Sequence, residues 1–283
     1  MNKKAGTAKY KVVIVTLIKI IVAVIMFSPI IWIISGGFKT LTEFTTSTDI
    51  IPKKPTLENY IYVFKYSNFF KYFRNTVLLM LGTGVGTLIS SSLVAYPLAR
   101  MDFPGKNMFF ALIIATMMVP GIALIVPQYI MFGKFGWLDS LLPMIVPAFF
   151  AHPYNVFLFR QFFRSIPKEL DEAAIMDGCS HMGVFFRVLA PLSKPTYATI
   201  AILSSVFWWN ELTQPVFYIN GDKWRTLTIA LMTSFMYIKG NTFVINWPTI
   251  MAASTLMIIP PMLLYFFGSS YLVEGIKTSG LKG

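Results

Sequence analysis

Long apolar runs separated by short polar breaks dominate this chain, and the lengths of the runs predict its elements. The runs extend from Val12 to Ile34, Thr76 to Leu98, Phe109 to Met131, Leu141 to Phe159, Thr196 to Ile219 and Thr249 to Tyr271. Each is long enough, as a helix rising about 1.5 Å per residue, to cross roughly 30 Å of hydrocarbon. In a bilayer core every backbone N–H and C=O must be satisfied within its own segment, so such runs are helices. The expected fold is all-α, a polytopic membrane protein with about six transmembrane helices. A single membrane domain would fill residues 1–283, with a first span at 12–34, an outer loop at 35–75, a five-span core at 76–271 and a short cytosolic tail at 272–283. Lys3, Lys4, Lys9 and Lys11 precede the first run, which is longer than a signal-peptide core and lacks a small-residue cleavage site. It reads as an uncleaved helix with its N-terminus inside. Lys19 within it reaches the inner interface along its own aliphatic stem.

The polar and semipolar positions refine this picture. Pro52 and Pro55 break any helix in the first outer loop. From Thr56 through Phe73 the pattern becomes amphipathic, as expected of a helix lying in the outer interface. Gly82 and Gly86 give the second span a small face for a neighbouring helix. With Gly84 they mimic a phosphate loop only superficially, since no Lys-Ser/Thr ending follows. Pro120, Pro127, Pro143, Pro147 and Pro153 interrupt the third and fourth spans. Broken helices survive in a bilayer where protein or water satisfies the freed backbone groups, as around a pathway. Gln128, His152 and the cluster Trp208, Asn210 and Glu211 are therefore candidate pathway residues. Glu211 is the only carboxylate inside a predicted span, and an intramembrane acid reads as functional or as lying close to the outer interface.

One stretch departs from the apolar pattern. Between Ser165 and Pro191 charges of both signs crowd together in a predicted cytosolic loop. Ser165 is placed to cap a short helix, Pro167 fits its first turn, and Glu169, Asp171 and Glu172 sit near its positive end. Gly178 supplies a left-handed stop. Ser180 then caps a second short helix from His181 to Leu189, which Pro191 ends.

Composition confines the class further. Of 283 residues, 55% are hydrophobic and only 13% charged, about half the charged fraction of a soluble domain. Two histidines and one cysteine leave little for metal chemistry and exclude a disulfide within one chain. The net charge of +12 does not come with a basic run interleaved with stacking aromatics, so no nucleic-acid partner is expected. Cations beside membrane spans serve orientation and anionic lipid. An intramembrane enzyme would need paired acids, a Ser/His arrangement or metal ligands, and the sequence displays none.

Glu172-Ala173-Ala174, Gly178 after three intervening residues, and Val188-Leu189-Ala190-Pro191 beyond it resemble the EAA loop of ABC importer permeases. Val188 stands for Ile and Ala190 for Leu in that pattern. Pro55 to Tyr60 with Asn75-Thr76, the Trp-Asn-Glu cluster and the segment Tyr271 to Lys277 resemble the carbohydrate-uptake branch. The resemblance implies an ATPase-coupling role for Glu172, Ala173, Ala174, Asp177, Gly178 and Pro191. It further implies two ATPase subunits carrying ATP and Mg, a second permease of different sequence, and an extracellular solute-binding protein that meets the outer loop at 220–248. The chain itself would hold no cofactor and hydrolyse no ATP. It would sit in the bacterial inner membrane with both termini in the cytosol. An oligosaccharide is the implied solute. A phosphorylated polyol or polyamine permease, or an ATPase-independent secondary transporter using Glu211, are the alternatives.

Overall fold

The computed structural model describes residues 2–233, 236–239 and 242–280, with side chains over 12–233 and 245–271. In chain order the elements are α1 (Asn2–Gly37), α2 (Leu41–Thr46), α3 (Glu58–Tyr66), α4 (Phe69–Arg100), α5 (Lys106–Ala115), α6 (Gly121–Lys134), α7 (Leu142–Ile145) and α8 (Pro153–Ser165). They continue with α9 (Glu169–Met176), α10 (His181–Val184), α11 (Ala190–Leu192), α12 (Lys194–Asn210), α13 (Thr213–Tyr218) and α14 (Leu227–Thr233). An antiparallel hairpin, β1 (Met236–Lys239) with β2 (Thr242–Ile245), precedes the final helix α15 (Trp247–Gly280) and pairs Met236 with Ile245. The expected helical membrane architecture is present. The hairpin is a small addition between α14 and α15. Of the expected tail, the helix continues to Gly280, and residues 281–283 lie outside the described set.

Among the described residues, four helical segments are long and apolar enough to cross a bilayer singly: Val12–Gly37, Phe69–Arg100, Leu142–Ser165 and Trp247–Tyr271. The other two expected spans fall short of this as single helices. The third bends by 95° between Met118 and Gly121. There Val119 is extended, the conformation that the residue before a proline prefers, and Pro120 starts the next helix. The fifth stops at Asn210 and resumes at Thr213. A continuous helix would bond the Glu211 carbonyl to the N–H of residue 215, but Pro215 has none. The Thr228 hydroxyl donates to that carbonyl instead, at 2.9 Å.

The chain forms two compact units, residues 1–69 with 231–259, and residues 70–230 with 260–283. In the first, the end of α1 is sealed by Asn59, whose amide donates to the carbonyls of Gly37 and Lys39 at 3.0 and 2.8 Å. Gly37 lies so close to the backbone of Ala252 that a Cβ would stand 3.1 Å from it. The amphipathic stretch expected to run to Phe73 is split at Asn68, which takes a left-handed conformation, and α4 begins directly after it.

The second unit is organised along α4, whose 32 residues span about 48 Å. Leu79, Thr87 and Ala95 lie along it in steps of about 12 Å. Leu79 joins one buried cluster with Phe132, Met144 and Tyr218. Ala95 joins another with Phe159, Phe163, Phe185 and Leu189. Thr87, between them, borders a cavity. The small face predicted at Gly82 and Gly86 receives the fourth span: a Cβ on Gly82 would stand 2.8 Å from Ile145, and one on Gly86 2.7 Å from the Phe149 ring. Gly86→Leu is expected to destabilise the second unit by about 1–3 kcal/mol, read as a lowered unfolding midpoint in mild detergent. Gly84→Leu, with nothing within 4 Å of the added Cβ, is the control and should shift it little.

Candidate functional site

The polar loop after α8 builds a helix with two unlike faces. Glu169, Glu172, Ala173 and Met176 recur at helical spacing along α9, and all are exposed, Met176 at 86%. Ile175, also exposed, adds apolar surface beside them, and Met182 and Phe186 extend it across the following turn. Asp171 and Ala174 point the other way, Ala174 being packed into the cluster around Phe159 and Phe185. Of the two small residues expected at a contact surface, Ala173 is outward and Ala174 inward.

The stop after this helix follows local chemistry. Gly178 has φ +84°, its N–H donates to the Ile175 carbonyl, and the Cys179 N–H donates to Ala174, both at 2.9 Å. This pair of bonds is a Schellman close, which needs the left-handed residue glycine supplies most cheaply. Asp177, the last residue before it, is exposed. Ser180 caps α10 by accepting from the Gly183 N–H at 3.2 Å. Two expectations fail. Ser165 ends α8 and donates back to the Phe162 carbonyl, so Lys168 takes the cap position of α9 without a side-chain bond. Pro191 does not end the second helix: a wide π turn over Phe185–Leu189 carries the chain into α11 with Pro191 in its first turn, where a missing N–H costs nothing.

The inner face of the loop is held by α4. Arg100, at the last position of that helix, donates from Nη2 to the Ile166 carbonyl at 2.8 Å, and its Nε stands 3.3 Å from Asp171 Oδ2. The Tyr96 hydroxyl donates to the His181 carbonyl at 2.9 Å. Burial pushes the Asp171 carboxyl above its ordinary range, while Arg100 and Lys168 pull it back part of the way.

Between the two buried clusters lies a cavity of about 470 Å³, within the range of small-ligand sites. Its polar lining comes from Thr87, Gln128, His152, Tyr154, Asn155, Ser204 and Gln214, with Phe132, Phe207 and Trp208 supplying aromatic surface. Among the described residues no Asp, Glu, Lys or Arg borders it. One wall is the break in the fourth span, where Ala151 holds φ +64°. The N–H groups freed there donate to Ser90 and Ser91 of α4, each at 3.0 Å. Sequence-predicted Trp208 and Gln128 meet at this cavity, and Gln128 also accepts from the Tyr218 hydroxyl at 3.0 Å. Asn210 and Glu211 are not among its lining residues. Asn210 is exposed and donates back to Val206, and Glu211 accepts from the Gln214 N–H at 2.9 Å, tying off the break between α12 and α13. Among the described residues no three His, Cys, Asp or Glu side chains converge as metal ligands.

At the other end of α4 the loop 219–226 is clamped down. Asn75 donates to the carbonyls of Lys223 and Arg225 at 3.0 and 2.9 Å, and Thr76 accepts from the Leu227 N–H. Asp139 accepts from the N–H groups of Asn220 and Gly221. Asp222 accepts from Lys71 and from the Tyr72 hydroxyl, and these bonds hold its carboxyl below the usual range. A depressed pKa in the folded state gives stability above the ordinary aspartate range that is lost as pH falls through the folded value. Acidification below that range should therefore speed proteolysis of this loop. Asp222→Asn should speed it at neutral pH by roughly two- to fivefold and flatten the acid response, since the pair is half exposed.

Sequence reasoning missed Arg100, Asp171, Asn155, Ser204 and Gln214 as site residues. No local pattern distinguishes them; their roles come from partners on other helices.

The family described as binding-protein-dependent transport system inner membrane component matches residues 86–278. The chain is 33% identical over 272 residues to the arabinooligosaccharides transport system permease protein AraQ of Bacillus subtilis, covering 95% of each chain. It is 32% identical over 272 residues to the melibiose/raffinose/stachyose import permease protein MelC of the same organism, covering 95% and 96%. The fold is also similar to a chain in the crystal structure of a bacterial ABC transporter involved in import of the acidic polysaccharide alginate. The TM-score there is 0.81 at 24% identity, over 94% of this chain and 97% of that one.

Proposed function

This chain belongs to the binding-protein-dependent transport system inner membrane component family, and we propose that it passes an oligosaccharide through the central cavity of an ATP-driven importer. It is a multi-pass membrane protein and a transport permease. The observation that carries the solute reading is the composition of the cavity wall: amides, hydroxyls, one imidazole and aromatic faces, with no Asp, Glu, Lys or Arg among the described residues. Neutral polar groups and rings match the hydroxyls and apolar faces of sugars. A phosphorylated polyol or a polyamine would enter as an ion and call for a charged partner. The named relatives carry arabino-oligosaccharides and raffinose-type sugars, which supports the same class.

The partners follow from the loop. The outward face of α9 sets Glu172 and Ala173 beside the apolar Ile175 and Met176. Apolar surface ringed by charge at the end of a membrane domain fits a docking face for an ATPase subunit. In this reading two such subunits bind ATP and Mg, a second permease of different sequence completes the pathway, and a solute-binding protein docks outside. Both termini lie in the cytosol, in a bacterial inner membrane. ATPase closure would move α9 as a rigid body, and its ties through Arg100 and Tyr96 pass the motion to α4, which borders the cavity at Thr87.

The test is ATPase activity of the purified assembly in bilayers with candidate solutes. Stimulation by arabino- or galacto-oligosaccharides, absent with polyol phosphates and polyamines, is expected. The opposite selectivity removes the carbohydrate reading. Trp208→Ala should raise the half-saturating sugar concentration for uptake roughly threefold to tenfold.

A further inference from the structure

A second cavity, of about 420 Å³, opens beside the polar loop, and five of its nine lining residues are cations, Arg100, Lys106, Arg160, Arg164 and Lys168, with Asp102 the one acid among the described residues. Local pairing neutralises only part of this charge. Lys106 is bonded to Asp102 and to the Met101 carbonyl, and Arg100 faces Asp171. Arg160 uses Nε on the Leu98 carbonyl and lies 3.9 Å over the Phe110 ring, with no carboxylate in an ion pair with it among the described residues. Arg164 and Lys168 are exposed, and neither is in an ion pair among the described residues. Arg160 and Arg164 thus converge without an ion-paired carboxylate among the described residues, and Lys168, whose charge also acts on Asp171, stands beside them. Arg160 is held rigidly by its carbonyl and ring contacts, so part of its fork is preorganised for an oxyanion.

We propose that this cavity binds a phosphate group, and that the source is the headgroup of an anionic phospholipid. The cavity lies where α4 and α8 end and α5 begins, the ends of membrane-crossing segments, where a headgroup layer would stand. Phe103, Met108 and Phe109, next in sequence to its wall, are exposed apolar side chains suited to acyl chains. The site touches the loop directly, since Lys168 caps α9 and Arg100 holds Asp171. A bound headgroup would set the position of that helix. Only this last consequence rests on the importer reading; the binding itself does not.

The test measures lipid retained by the purified chain with its co-purifying subunits. The sample is first held in bilayers of equal phosphatidylglycerol and phosphatidylcholine, then extracted, and bound lipid is quantified by mass spectrometry. Phosphatidylglycerol should be retained over phosphatidylcholine. Arg164→Gln with Lys168→Gln, both at exposed positions, should lower that retention roughly tenfold. Arg187→Gln with Lys194→Gln removes the same charge from exposed positions outside the cavity and should change it less than twofold. A second arm titrates inorganic phosphate onto the assembly in phosphatidylcholine alone. Saturable binding there, lost in the Arg164/Lys168 variant, with no lipid selectivity in the first arm, keeps the phosphate site and reassigns its source to a soluble compound. Equal lipid loss in both double variants without phosphate binding, or no retention of either probe, overturns the proposal. Neither arm reads transport, so failure here leaves the importer reading standing.

Discussion

Arg100→Ala should cost the second unit about 3–5 kcal/mol and detach the polar loop from α4. The side chain is 3% exposed and that of Asp171 14%, so the pair sits largely out of water. Desolvation makes such a pair a weak source of net stability, yet breaking it leaves a charge without its partner. Here the loss is compounded. The Ile166 carbonyl loses its donor, and Asp171 Oδ1 is already buried without a hydrogen bond. With burial pushing its carboxyl up, Asp171 would take a proton more readily once the guanidinium is gone, and the loop would lose the tie that sets its angle. Two observations separate this from general damage. Arg100→Met with Asp171→Leu should recover most of the stability, because an apolar pair of similar volume has no charge to desolvate. It should not recover sugar-stimulated ATPase activity, because the Ile166 carbonyl and the loop's orientation stay unsupported. Denaturant unfolding in mild detergent and ATPase assays of the same preparations decide both. A loss below about 1 kcal/mol for Arg100→Ala would mean that the pair does not hold the loop.

Gly178→Pro should abolish co-purification of an ATPase and reduce sugar uptake at least tenfold. The residue sits at φ +84°, whereas proline is fixed near −65° and has no N–H to give to Ile175. Nothing lies within 4 Å of a Cβ at this position, so crowding plays no part and the backbone alone decides the outcome. That allows a graded test. Asn, which visits the left-handed region readily, should retain most activity; Ala should cost about 1–2 kcal/mol of loop stability; Pro should remove the turn. Equal activity across the three would exclude the turn as the feature that presents α9. Glu172→Ala complements the series. Its carboxylate is exposed and in no ion pair among the described residues, so folding should be unaffected, while ATPase affinity falls about tenfold through loss of one charge-assisted bond.

What could be read along the chain was whatever neighbouring residues decide among themselves. Apolar runs long enough for a bilayer become helices because lipid leaves the backbone no other partner, and that gave the membrane architecture. Gly82 and Gly86 advertise a close helix contact through their missing side chains, and Ile145 and Phe149 fill it. Gly178 and Ser180 act on bonds spanning only a few residues, so their turn and cap were legible. The chain order could not show which side of α9 meets the membrane helices, and so it could not separate Ala173 from Ala174. Nor could it show that Arg100 reaches a carbonyl 66 residues away, or that Ser90 and Ser91 satisfy the broken fourth span 61 residues on. Glu211 shows the limit most plainly. An acid in an apolar run looks like a pathway group, yet Pro215 removes the donor that would continue the helix, and Glu211 caps the break that results. Which polar residues line the cavity and which merely repair the backbone depends on which helices pack side by side. That is a property of the folded bilayer-facing bundle, since each hydrogen-bonding group takes whatever partner packing brings within reach.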